Sequence, residues 1–527
     1  MSRSATEHRL EQKFQLRLYF FSGFILVSLA LFVFQLGKLQ LVWGYENRIL
    51  AKKFVSQQEF MVAPRGLIYD RSFSQDDSRT LVQNVNYIDY VVFPNRFRNR
   101  AEGARFIGAV ATLLGRNPAE FKDYLSERAW NNLVKKNQSI ILLTRVGRRE
   151  QERLAEFHLV SRYGEFVSQH LRYYTMGPAM AHVTGYIGLP SRRELERKLA
   201  LPYQFIGKAG LEAQYDSELR GSDGVRIRHR IKDSEEQIAE SRHGNSLVLT
   251  IDHRVQAAAY RKLVETGKRG TAIAMRTNGE VLALASYPAY DPNILASGTP
   301  EQRADHFRKV QQFEGFLNLA VQAKSPPAST FKILVAIAAL ESGKNIDPNT
   351  TYTCTGAYQV RSSSRNSPDA HYNCWSSGHG SLNLLGAIAQ SCNVYFWHMS
   401  NAIGPSGIIK VAKGLGLDRT AGIDLPGEIA GFVPDQKWKQ INWSSRWDDG
   451  DTLNLAVGQG FLEATPLGMA VALGAVVNRG KIYKPFLVRD IRDPDTNRVI
   501  KTFQPHMVTE IPMAQDTLDL VEKGMRM

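Results

Sequence analysis

The sequence predicts an α+β multidomain chain: a membrane-crossing N-terminal helix, a β-rich region carrying a helical insertion, and a mixed α/β C-terminal half. Three observations predict it. An uncharged apolar run, Leu18 to Leu36, lies near the start. From about 98 to 160, apolar residues recur at three- and four-residue spacing between stretches of extended character. A strand, helix and hairpin pattern begins near residue 245 and leads into apolar helices.

Length supports the division, since 527 residues exceed what one hydrophobic core usually holds. The net charge of +15 fits an anionic membrane surface, an anionic polymer or nucleic acid. Lysine and arginine are scattered, however, and no helix-turn-helix, zinc-finger or RNP-type motif occurs. Nucleic acid is therefore set aside.

The apolar run is about long enough to cross a bilayer. Arg3, Arg9, Lys13 and Arg17 outnumber Glu7 and Glu11 before it. A cytoplasmic tail (1–17), an anchor (18–38) and an extracytoplasmic remainder follow from that bias. A cleavable signal peptide is the competing reading. The run is long for that, and "GKLQLVWGYEN" after it has no small-x-small cleavage site. A single-pass protein of the cytoplasmic (inner) membrane is expected.

Residues 39–240 read as the β-rich region. "FVSQQEFMVAPRGLIYDRSF" (54–73) is extended, and a helical head is inserted at about 95–165, with Gly115 stopping one helix. "HVTGYIG" (182–188) reads as a strand, and "NSLVLTIDHRVQAAAYRKLVE" (245–265) as a strand running into a helix. "GTAIAMRTNGEVLALASYPAYDPN" (270–293) reads as a hairpin turning at Thr277-Asn278-Gly279. Charged "RIKDSEEQIAESRHGN" marks a boundary near 240, so 241–527 forms the second domain.

"PPASTFKILVAIAALESG" puts Ser329 and Lys332 on one turn at the start of an apolar helix. An apolar setting disfavours a lysine's charged form, so a neutral Lys332 could take a proton from Ser329. Alone, S-x-x-K is weak, and an N-cap serine followed by a solvated lysine explains it better, because serine caps are common. "AIAQSCNVYFW" adds Ser391 and Asn393 as S-x-N about sixty residues on. The pair is the serine set of penicillin-binding proteins and related β-lactamases.

From these motifs the chain resembles a class B penicillin-binding protein, nearly end to end. "APRGLIYDR", "RYYTMGPAMAHVTGYIG", "IGKAGLEAQYDSELRGSDG", "GNSLVLTIDHRVQ", "GEVLALASYPAYDPN", "PPASTFK", "GHGSLNLLGAIAQSCN" and "LAVGQGFLEATPLGMA" are similar to successive family blocks. The second block and compact N-terminal half look most like the elongation type, penicillin-binding protein 2. The resemblance implies a pedestal (dimerisation-type) domain and a transpeptidase domain with an antiparallel sheet between helical layers.

It also implies peptidoglycan D,D-transpeptidase activity. Ser329 would attack the penultimate D-Ala carbonyl of a stem peptide, with Lys332 as base. Ser391 would relay a proton, Asn393 would hold Lys332 and substrate, and the Ser329 N–H would be one oxyanion donor. A second strand's amine would then resolve the acyl-serine, and β-lactams would trap it. No cofactor is needed for this chemistry. Implied partners are stem peptides, β-lactams, a SEDS-type rod-shape glycosyltransferase and other elongation-complex membrane proteins. Ala328 departs from the family, which usually has glycine there; its small methyl is expected to be tolerated. The family's K-[ST]-G motif is absent, so the sequence is expected to be a fragment lacking its C-terminal strands, and a protein ending at Met527 is expected to have little activity.

Cys354, Cys374, His379 and Cys392 make a Cys₃His set, an ordinary composition for a structural zinc site. A Cys354–Cys374 disulfide with Cys392 as a buried thiol competes, since an oxidising compartment favours it. Asp369 and His371 are close alternatives as ligands, but solvated loop positions are the expectation for both. Cys392 lies between Ser391 and Asn393, so it should point away from them, and a metal there would brace the turn from behind. The resemblance adds weight, because some elongation-type relatives place zinc here. Two rival functions remain: a catalytically impaired scaffold that activates the glycosyltransferase, and a hydrolase, either D,D-carboxypeptidase or β-lactamase. No E-x-x-x-N deacylation motif follows the S-x-N turn.

Overall fold

The structure is a computed structural model that describes residues 3–38, 56–73, 79–115, 117, 125–135, 140–143, 145–156, 160–197, 204–229, 234–360 and 370–527. Residues 39–55 of the expected pedestal, parts of the head and Asp369 lie outside the described residues. The chain forms two compact units.

The first unit comprises Met1–Ala63 and Ser222–Arg242. Its helix, Arg3–Gly37, contains a stretch from Arg17 to Gly37 with mean hydropathy 2.1, long and apolar enough to cross a membrane. Among the described residues no other helix is. Leu18 to Phe34 present apolar side chains outward, as a span in lipid requires. The basic tail is helical and continuous with the span. The unit also holds a three-stranded antiparallel sheet, in which Gly224–His229 lies between Ser56–Met61 and Ser234–Ala239.

The second unit comprises Pro64–Gly221 and His243–Met527. Sequence on both sides of residue 240 therefore shares one body. A seven-stranded sheet joins them, in the order Val499–Thr502, Val488–Arg492, Ser246–Leu249, Ile68–Tyr69, Thr80–Val92, Ile140–Leu143, with Gly164–Tyr174 also paired to Thr80–Val92. Ser246–Leu249 is buried at every residue, as suits a strand with neighbours on both sides. The head is the long loop of the hairpin formed by Thr80–Val92 and Gly164–Tyr174. It has its own core of Phe97, Phe106, Ile107, Trp130 and Leu154. The helices Arg100–Leu113, Glu127–Lys135 and Arg148–Ala155 agree with the helical spacing read there.

Below the head, Glu212 is fully buried between two guanidiniums. It accepts from Arg65 Nη2 at 2.7 Å and from Arg172 Nε at 2.7 Å. Burial alone would raise its pKa, but Arg172 and Arg65 hold it below the usual carboxylate range.

"HVTGYIG" is a correction. Ala181–Thr184 is helical, and only Ile187–Gly188 is a strand, paired with Ile206–Gly207. Gly185 ends that helix at φ +74, where an added Cβ would lie 1.7 Å from the Ala209 carbonyl oxygen. That close approach decides the local path.

The remaining elements position the candidate site. His253–Thr266 packs on the hairpin of Gly270–Met275 and Val281–Tyr287, which turns where the sequence indicated. Pro466–Val477 also contacts the hairpin. The helix Lys332–Leu340 is almost wholly apolar and buried, against Asn393–Ile403, Pro405–Gly414 and Gln515–Arg526.

Candidate active site

Ser329 lies in a 3-10 turn, Ala328–Phe331, and the α-helix proper begins at Lys332. The sequence reading of Ser329 on the first turn of the α-helix is thereby corrected: it lies in a 3-10 turn that precedes the helix. Ala328 adopts φ +50, so the chain swings through the left-handed region just before the serine. Its N–H donates to the Gly458 carbonyl at 2.9 Å. Phe331 is buried and seats the turn, while Ser329 is exposed.

Lys332 is 2% exposed. Its ammonium donates to Asn393 Oδ1 at 2.6 Å, to the Ser391 carbonyl at 2.7 Å and to Ser391 Oγ at 3.1 Å. Among the described residues all its hydrogen bonds go to that turn. Burial lowers its pKa to about 8, against a smaller upward pull from Cys374 and Cys392. The Phe396 ring lies 5.7 Å from Nζ.

Ser391 follows the helix Leu384–Ala389 and takes φ +50; Asn393 opens the next helix. Cys392 between them is buried and faces the other way, into the cysteine cluster. Lys332, Ser391 and Asn393 are thus joined directly, and Ser329 is presented to solvent one turn before Lys332.

The four sulfur and imidazole residues also converge. The ligand atoms of Cys354, Cys374, His379 and Cys392 lie within 4.8 Å of one another. Pairing of Tyr352–Cys354 with Gly380–Leu382 brings Cys354 beside His379, and the Cys374 N–H donates to Gly356 O at 2.9 Å. His379 Nδ1 is 3.5 Å from Cys354 Sγ and 3.7 Å from Cys374 Sγ. A tetrahedral zinc with ordinary bond lengths requires S···N separations of about 3.5 Å. Burial raises the Cys374 thiol, but backbone N–H groups of Ser376, Asn393 and Val394 more than offset it. Burial pushes Cys392 up to about 12. The three cysteines are unlinked, and His371 lies exposed on the strand Ala370–Asn373.

Trp375 is a residue the sequence reading missed. Its indole N–H donates to the Ser391 carbonyl at 3.0 Å, and its ring meets His379 edge-on at 5.0 Å. It links the cysteine cluster to the Ser391 turn. Its place next to Cys374 is the only sequence signal that could have flagged it.

Two family domains match in order. The "Penicillin-binding Protein dimerisation domain" covers residues 60–249 and the "Penicillin binding protein transpeptidase domain" residues 270–527. The peptidoglycan D,D-transpeptidase MrdA of Acinetobacter baumannii is 28% identical, over 96% of this chain and 75% of its own length. MrdA of Escherichia coli strain K12 is 30% identical, over 84% of this chain and 69% of its own. Penicillin-binding protein 2 from Helicobacter pylori, solved in complex with MreC, superposes with TM-score 0.71 at 25% identity, covering 89% of this chain and 82% of its own. A structure titled as a peptidoglycan synthase complex superposes with TM-score 0.68 at 26% identity, covering 97% of this chain and 84% of its own. With both domains in order and this likeness along its length, the chain belongs to the class B penicillin-binding proteins, close to the MrdA and penicillin-binding protein 2 group.

Proposed function

We propose that the chain is a peptidoglycan D,D-transpeptidase of cell elongation that works through an acyl intermediate on Ser329. The observation that supports this most is the attachment of buried Lys332 to Ser391 and Asn393, directly behind the exposed Ser329 turn. With a pKa near 8, about one lysine in ten is neutral at pH 7. A neutral amine donates two hydrogen bonds rather than three, so one bond to the turn is released and a lone pair is freed for the Ser329 proton.

Ser329 Oγ then attacks the carbonyl of the penultimate D-Ala, and its proton passes to Lys332. The Ser329 N–H serves as an oxyanion donor, a group worth about 2.7–4 kcal/mol where such donors have been removed. Ser391 passes the proton to the leaving D-Ala amine. An amine of a second stem peptide attacks the acyl-serine carbonyl and gives up a proton to Lys332; the acyl C–Oγ bond breaks and that proton passes to Ser329 Oγ, completing the crosslink. β-Lactams enter by the same attack and remain attached.

Cys354, Cys374, His379 and Cys392 are proposed to hold a structural zinc ion. The S···N separations and the N–H groups around Cys374 suit that ion. Zinc would supply the positive charge that lets adjacent buried thiols ionise together. Its role is to fix Cys392, and with it the flanking Ser391 and Asn393.

The anchor is proposed to place the catalytic domain outside the cytoplasmic membrane. A SEDS-type glycosyltransferase and other elongation-complex proteins are the proposed partners. The two related structures, one with MreC and one a peptidoglycan synthase complex, support that choice.

The test is labelling of the full chain with a fluorescent penicillin. The parent should acquire label and Ser329→Ala should not. Label on Ser329→Ala, or none on the parent, would remove the reading.

A further inference from the structure

Four aromatic rings form one cluster: Phe432, Trp438, Phe461 and Trp443. Trp438 meets Phe432 at 4.9 Å and Phe461 at 5.1 Å, both edge to face, and Trp443 reaches Phe461 at 5.1 Å. Trp443 is 59% exposed. Such ring area left open to water marks a binding surface rather than a core.

The patch is held rigidly. Asp435 caps the helix Gln436–Trp443 by accepting the Trp438 N–H at 2.8 Å. The buried ammonium of Lys439 ties the same helix to Asp448, at 3.0 Å, and to Asp451 at the start of Asp449–Ala456. Binding to a platform ordered in advance avoids an entropic penalty.

It is also continuous with the candidate active site. Asp449–Ala456 leads to Gly458, whose carbonyl accepts the Ala328 N–H. Ser325 pairs with Ala464, and Phe432 pairs with the adjacent Glu463. Neighbouring residues of an extended strand direct their hydrogen bonds to opposite sides. The segment leading to Ser329 and the segment carrying Phe432 therefore flank Glu463 and Ala464, about 10 Å apart at ordinary strand spacing. A stem peptide of four extended residues reaches about 14 Å. The patch thus lies within the reach of a stem peptide whose D-Ala carbonyl is at Ser329.

The chemistry of the rim selects the ligand. Gln440, Asn442, Ser444, Ser445 and Gln459, near the rings in sequence, are exposed and uncharged; Lys437, Ile441 and Arg446 are exposed on the same segment, and Lys324 Nζ lies 5.9 Å from the Phe432 ring centroid. A pyranose presents C–H groups on its faces, which pack on the electron-rich ring face, and hydroxyl and acetamido groups at its edge, which amides bind.

We infer that Phe432, Trp438, Phe461 and Trp443 form a glycan subsite that seats an N-acetylhexosamine of the strand whose stem peptide is processed at Ser329, with Trp443 as the outer stacking face. The inference rests on the transpeptidase reading and adds a second contact, to the sugar, for the same substrate. The test uses the full chain carrying Ser329→Ala, in detergent, titrated calorimetrically with glycan strands of alternating N-acetylglucosamine and N-acetylmuramic acid stripped of peptide. Further replacement Trp443→Ala should weaken binding about tenfold, and Trp443→Tyr should restore most of it. Equal affinity with and without Trp443, or no strand binding at all, overturns the subsite. So does unchanged strand binding in a Trp443→Ala chain that has lost self-association in sedimentation, which would assign the patch to a second copy. Failure of the transpeptidase reading is visible separately, as absence of penicillin label on the chain with Ser329 intact.

Discussion

Lys332 donates to Asn393 Oδ1 at 2.6 Å, so the helix behind the nucleophile turn is tied to the first residue of the helix Asn393–Ile403. A hydrogen bond to a charged group contributes about 1.5–3 kcal/mol. Asn393→Ala should therefore slow penicillin acylation about 10- to 100-fold, read as the rate constant of fluorescent label uptake. A rate within twofold of the parent would mean that Lys332 does not need this tether.

The same lysine fixes the pH dependence. Its neutral form is the base, and burial holds its pKa at about 8. Acylation should rise as pH increases and level off above that value. At pH 6 only about one lysine in a hundred is neutral, so the rate should be about a hundredfold below the plateau. Asn393→Asp places a carboxylate beside the ammonium, favours the charged form and should move the rise to higher pH. A flat profile from pH 6 to 9 would exclude Lys332 as the base.

The cysteine cluster predicts metal content. Elemental analysis of the purified full chain should find about one zinc per chain, and Cys354→Ser should lose it. Removing the ion with a chelator should lower Tm and slow acylation about tenfold, through slackening of the Ser391 turn. A zinc-free parent with a Cys354–Cys374 disulfide in its peptide map would replace the metal with the competing reading.

Much of the site is legible in sequence because its spacings are local. S-x-x-K and S-x-N each span one turn, and alternation around Cys392 separates a face toward Lys332 from a face toward the other cysteines. What was not legible depends on distant backbone approaches. Ser329 leaves the first turn of the α-helix because Ala328 takes φ +50 against Gly458, and His182–Thr184 become helical because Gly185 meets Ala209. The strand pairing across residue 240 and the rings around Trp438 likewise join segments that no periodicity connects. "APRGLIYDR" and "GLEAQYD" could be recognised as blocks, yet nothing in either named Glu212 as the partner of Arg65.

That partnership makes its own prediction. Glu212→Gln leaves the Arg172 guanidinium buried without its counter-charge and Arg65 with Asp216 alone. Breaking a buried pair in this way costs about 3–5 kcal/mol. Urea denaturation should show the loss in the midpoint. Because the folded-state pKa of Glu212 lies below its ordinary value, its contribution is present at neutral pH and disappears as acid protonates it. The deficit of Glu212→Gln should therefore shrink toward low pH. A constant deficit across pH would assign the effect to packing instead.

Gly458 and Ala328 test whether backbone contact positions the nucleophile. Gly458 sits at φ +70, and an added Cβ would lie 2.2 Å from the Ala328 carbonyl oxygen and 2.8 Å from Phe331 Cβ. Neither neighbour can yield without moving the turn that carries Ser329. Displacing a reacting group by about 1 Å can cost about a hundredfold in rate, so Gly458→Ala should lose at least that much acylation while remaining folded by circular dichroism. Ala328→Gly acts in the opposite sense. An alanine in the left-handed region carries a penalty of about 1–2 kcal/mol, whereas the extra freedom of glycine in the unfolded chain costs about 0.4–1 kcal/mol. The difference favours the variant by about 0.5–1 kcal/mol, so Tm should rise slightly with acylation unchanged or faster. A fall in Tm would mean that the methyl group stabilises the turn by more than its backbone strain costs.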